Sequence, residues 1–167
     1  MGILNIPVIA RTRRSHALEH ATIQLLSRHR PAVALTGRST PDGFYIYGHI
    51  STQELQSAVQ EALSRLRGGA RHLAVHSRCG TNLVTAGILA GLVSFLTMLP
   101  GSDRSRRERL PLVLLFVTLT LFLAQPLGPL VQQYVTTEAD LSATTVAQIT
   151  RSSLGRVPVH RVQLEHK

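Results

Sequence analysis

The sequence predicts an α+β protein, a small mixed sheet with two helices, interrupted by a transmembrane helical hairpin. Three observations predict it. Residues 79–102 and 110–137 contain no Asp, Glu, Lys or Arg, and each run reaches the roughly 20 residues that a bilayer core requires. Before them lie two stretches with apolar residues at helical spacing and several short alternating stretches rich in β-branched and aromatic residues. After them come two more strand-like stretches. The expected organisation is a soluble part over residues 1–82, a hairpin over 83–132, and strands within 133–167 that return to the soluble part.

The totals narrow the class. A chain of 167 residues holds one domain and an appendage. Its formal net charge of +9 comes almost entirely from arginine, with Lys167 the only lysine. A nucleic-acid binder clusters such charge and interleaves aromatics. Here arginine is scattered and tryptophan is absent, so the basic balance points to anionic lipid head groups and no nucleic acid is expected. One cysteine, Cys79, excludes an internal disulfide framework. No signal peptide is legible, because the arginines follow Met1–Ala10 instead of preceding it.

In order, residues 1–12 read as an extended lead or short strand. Arg13–His29 reads as the first helix, stopped by Pro31. Leu18, Ala21 and Leu25 form its apolar stripe; His16, His20, Ile23 and Ser27 lie opposite. Ala32–Leu35 reads as a short strand, Gly37–Gly43 as a turn, and Phe44–Ile50 as a strand. Ser51-Thr52-Gln53-Glu54 is a capping box that opens a second helix with Leu55, Val59, Ala62, Leu63 and Leu66 on one face, closed by Gly68-Gly69. Capping and a solvated face account for Glu54 and Glu61. His72–Ser77 reads as a third strand. Leu83–Leu99 and Leu110–Val131 form the hairpin, joined by the charged loop Gly101–Arg109, with Gly87 and Gly91 in a GxxxG pair suited to close contact with a partner complex or a second copy. Ala143–Thr150 and Arg156–Leu164 read as strands. Arginines before the first span offset those of the loop, and both ends are expected in the cytoplasm.

Chemistry concentrates in His16-Ala17-Leu18-Glu19-His20. Two imidazoles four residues apart stand on one helix face, with a carboxylate on their flank. That pattern suits a divalent metal held by His16 and His20, with Glu19 as general base toward water on the metal. Cys79 follows His76 at an HxxC spacing, so Cys79, or His76 in its place, is the expected third ligand, holding Zn²⁺ or Fe²⁺.

The same five residues resemble the HxLEH helix of inverted zinc proteases and the HTLEH helix of S-ribosylhomocysteine lyase. The second resemblance implies a cysteine as third ligand, carried here by Cys79 in Arg78-Cys79-Gly80-Thr81, similar in composition and not in order. Over nearly its full length, through HALEHATIQLL, GRSTPDGFYIYG, LAVHSRCGTNL and the hairpin, the chain resembles an uncharacterised two-span membrane-protein family of cyanobacteria and related phototrophs, which implies a bacterial inner membrane, plasma or thylakoid. Two functions are expected from all this. One is a membrane-anchored metal-dependent hydrolase or lyase; the other is a non-catalytic subunit or assembly factor of a larger membrane complex.

Overall fold

In the computed structural model, which describes residues 2–99 and 107–166, helix α1 runs from Pro7 to His29. It therefore begins six residues earlier than its apolar stripe suggests, and the extended lead expected over residues 1–12 is replaced by a 3₁₀ turn at Ile3–Asn5 and two further turns of helix. Pro7 makes that start favourable: the first helical position needs no N–H, and the fixed proline φ suits it. Ala17, Leu18, Ala21 and Leu25 face the core.

Strands β1 (Thr36–Thr40) and β2 (Gly43–Tyr47) pair antiparallel across the two-residue turn Pro41-Asp42. Part of the stretch expected as a turn is thus strand, and the strand expected at Ala32–Leu35 does not form. Pairing with β2 outweighs the weak strand propensity of Gly37, Arg38 and Ser39, a case of context overriding residue preference. Helix α2 (Thr52–Arg67) opens with the expected capping box: the Ser51 hydroxyl accepts from the Glu54 N–H, and the Glu54 carboxylate accepts from the Ser51 N–H.

The third strand expected at His72–Ser77 is instead a 3₁₀ turn, Arg71–Ala74, that buries Leu73 and Ala74. Its carbonyls are turned toward α1: the Gln24 amide donates to Leu73 O and Val75 O at 2.9 and 2.8 Å. β3 (Thr144–Leu154) and β4 (Val157–His166) form a hairpin whose tip, Gly155, has φ +60°. The sheet order is β1-β2-β4-β3 and every pairing is antiparallel, so the sheet is not mixed. Phe44, Ile46 and Val162 from the sheet, Leu55, Val59 and Leu63 from α2, and Leu18 and Leu25 from α1 share one core.

Contacts divide the chain into two units, Met1–His76 with Gln133–Lys167, and Ser77–Gln132. The second unit contains helices α3 (Gly80–Met98), α4 (Leu110–Ala124) and α5 (Leu127–Val131), with α3 packed on α4 and α5. Among the described residues, α3 alone is by itself long and apolar enough to cross a membrane. α4 reaches that length only together with Leu127–Thr136, across a bend of 54° that falls at Pro126, where a helix loses a hydrogen bond. Leu83, Ile88, Leu92 and Phe95 of α3 are exposed, and Gly87 and Gly91 share that open stripe. Polar ties within the unit include the Gln132 amide, which donates to Asn82 Oδ1 in the space that Gly128 leaves, and Arg109, which donates to Thr97 O at 3.3 Å. Residues 101–106 of the expected charged loop lie outside the described residues.

Candidate metal centre

The centre is built on one polar stripe of α1. Arg13, His16, His20 and Gln24 follow one another at three- and four-residue steps, so they stand in a row along one side of the helix. The two imidazoles are the middle of that row, with ring centroids 4.2 Å apart and planes at 60°. His20 is buried and His16 is half-buried.

Each ring is held by a backbone carbonyl. His20 Nδ1 lies 2.7 Å from Ala74 O, and His16 Nδ1 lies 3.0 Å from Thr136 O. A carbonyl oxygen only accepts, so both Nδ1 atoms carry the proton, and in the neutral rings the lone pair belongs to Nε2. This is the tautomer that a metal-binding histidine adopts when its second nitrogen is fixed by a hydrogen bond.

The outer members of the stripe hold the chain on either side of the two carbonyls. Gln24 grips Leu73 O and Val75 O, one residue to either side of Ala74. Arg13 donates to Val135 O at 2.8 Å and to Thr137 O at 3.0 Å, one residue to either side of Thr136, and pairs with Glu138 at 3.4 Å. Neither residue stood out in the sequence. The available signal was their shared helical phase with His16 and His20; long polar side chains on a helix otherwise read as a solvated face.

Glu19 is also buried, on the flank toward β1. Its carboxylate accepts from the Ser39 hydroxyl. A β-carbon at position 37 would run into the same carboxylate, so β1 crosses Glu19 at a glycine. The strand that sequence preference disfavours is thereby the strand that lets a carboxylate lie beneath it. His76 completes the cluster of this unit, with its ring centroid 5.7 Å from that of His20. Cys79 belongs to the second unit, three residues further along the chain. It caps α3, where its sulfur accepts from the Thr81 N–H at 3.4 Å.

Outside the cluster, the histidines of β4 show what burial chiefly does. His160 is fully buried, with Nε2 3.2 Å from Thr52 Oγ1. Burial pushes its pKa below the usual histidine value, and Arg151 adds to the shift. His166 is likewise pushed down by burial first and by Arg14 second. These rings are neutral structural groups, apart from the stripe on α1.

Comparison with known proteins finds that residues 11–149 match the family model described as a domain of unknown function, DUF6391. An uncharacterised protein of the cyanobacterium Picosynechococcus sp. is 37% identical over 146 residues, covering 78% of this chain and 67% of the relative. No solved structure matches.

Proposed function

The chain belongs to the DUF6391 family, and from that premise we propose that it is a membrane-anchored metal-dependent hydrolase or lyase. His16, His20 and Cys79 offer one ligand atom each and make a group that could hold a metal ion. The observation that carries the reading is the fixing of both imidazoles through Nδ1 to the carbonyls of Ala74 and Thr136, whose chain neighbours are in turn held by Gln24 and Arg13. Imidazoles kept for packing alone do not need two flanking residues to aim their acceptors. His76, beside His20, is the alternative third ligand, and the three-residue step from His76 to Cys79 spans at most about 11 Å, which tethers the thiol to the cluster's neighbourhood.

Two nitrogens and a sulfur suit Zn²⁺, with Fe²⁺ as the other candidate. When bound, the ion supplies Lewis acidity and lowers the pKa of water at its open position. Glu19 is the proton acceptor. Ser39 steadies its carboxylate, and Gly37 leaves room for it beside β1. The proton taken up there is returned to the leaving group. A membrane peptide or a lipid-derived amide is the substrate class, because Cys79 opens the first apolar helix.

The anchor is the second unit, with α3 as one span and α4 with its bent continuation as the other. The uncovered apolar stripe of α3 supports this, since burying such a stripe in lipid removes a large apolar surface from water. A bacterial inner membrane, plasma or thylakoid, with the soluble part in the cytoplasm, fits the placement of the arginines. The same open stripe, with Gly87 and Gly91 on it, favours as second reading a non-catalytic subunit docked into a larger membrane complex.

Metal analysis of the purified chain separates the two. About one zinc or iron per chain, lost in His16→Ala and in Cys79→Ala, is expected. Near-zero metal in all three proteins, together with stoichiometric co-purification of a larger complex, would establish the second reading instead.

A further inference from the structure

The start of the chain presents a surface that the metal centre does not use. Ile3, Ile6 and Val8 are 75, 48 and 58% exposed, and Leu4 and Ile9 are only half-buried. The burial of α1 begins at Ser15, so its first two turns are helix without a core to face. Behind these aliphatic residues stand Arg11, Arg13 and Arg14, and no acidic residue occurs before Glu19. Arg13 is turned inward to Glu138 and the 134–137 carbonyls. Arg11 is exposed and makes no ion pair among the described residues.

Uncovered aliphatic side chains next to charge of one sign need an occupant that is apolar within and anionic at its rim. A lipid surface has that profile: acyl chains lie a few ångströms beneath a layer of phosphates. A protein partner could cover the aliphatic residues, but it would also have to supply acidic groups at the Arg11 end. We infer that residues 2–11 form an interfacial anchor that dips into a membrane rich in anionic lipid. Ile3, Ile6 and Val8 lie among the upper acyl chains and Arg11 lies at the phosphates. This contact lays the N-terminal end of the helix that carries His16 and His20 against the lipid surface.

The chain has no tryptophan, so Ile6→Trp in the full-length protein gives a reporter without background. The protein is reconstituted into phosphatidylglycerol–phosphatidylcholine vesicles and its metal content is measured on the same sample. The expected result is blue-shifted emission, shielding from aqueous iodide, and quenching by lipids brominated on the upper acyl chain. Each effect should weaken severalfold in pure phosphatidylcholine or with Arg11→Glu. Emission that stays at the solvent wavelength and is fully quenched by iodide would overturn the inference. So would shielding without bromolipid quenching, which would mean that protein covers the patch. Loss of metal with lipid quenching intact would count against the metal centre alone.

Discussion

At the scale of single residues, metal binding turns on which nitrogen of each histidine is committed. Two Nδ1–carbonyl bonds leave two Nε2 lone pairs in the neutral rings, and the carbonyls stay in place because Arg13 and Gln24 hold their neighbours. Removing an orienting partner of this kind typically weakens metal affinity about 10–100-fold. Gln24→Ala is therefore expected to lower zinc affinity by that order in competition with a chelator, with the helix content unchanged. Gly37→Ala should act on Glu19 instead. A methyl group at that position collides with the carboxylate, and overpacking of this kind costs about 1–3 kcal/mol. Denaturant unfolding should show that loss. The HxxEH pattern could be read in the sequence because a four-residue spacing on one helix fixes its own geometry. Ser39 and Gly37 could not, because nothing local says which strand will cross the helix.

At the scale of elements, the second helix was legible to its first residue, since a capping box is a purely local signal. Ser51→Ala should cost about 1 kcal/mol, read as a lowered melting temperature. Hydrogen bonds from the Ser51 backbone and side chain, with Arg30 beside them, hold the Glu54 pKa at about 2, so this cap persists in mild acid. β4 behaves oppositely. His160 and His166 have lowered pKa values in the folded chain, so between the unfolded value, about 6.5, and the folded values the unfolded chain binds more protons. Stability is full above about pH 6.5 and falls as pH drops below it. A melting series across that range should show the fall, and His160→Gln should reduce it. The strand misplaced at His72–Ser77 has the right composition for a sheet. Burial of Leu73 and the grip of Gln24 on its carbonyls decide for a 3₁₀ turn, and both are tertiary effects.

At the scale of the molecule, the α+β class was legible because helical and alternating periodicities are separated along the chain. The antiparallel sheet order was not, because it depends on where β3 and β4 return. The two uncharged runs are visible in composition, whereas the bend that divides the second at Pro126 is not. If α3 and the bent pair cross a bilayer, the full chain should stay with membranes through alkaline carbonate washing and leave only in detergent. Recovery in the aqueous wash would remove the anchor from the proposed function and leave the metal centre standing. The most direct measurement of the proposed metal centre is X-ray absorption, at the zinc edge or at the iron edge for an iron-loaded chain, of the purified, detergent-solubilised protein. The expected result for zinc is one ion with two nitrogen ligands near 2.0–2.1 Å and one sulfur near 2.3 Å, with loss of the sulfur shell in Cys79→Ala. A chain that binds neither zinc nor iron, or whose metal signal is unchanged by both His16→Ala and Cys79→Ala, would contradict it.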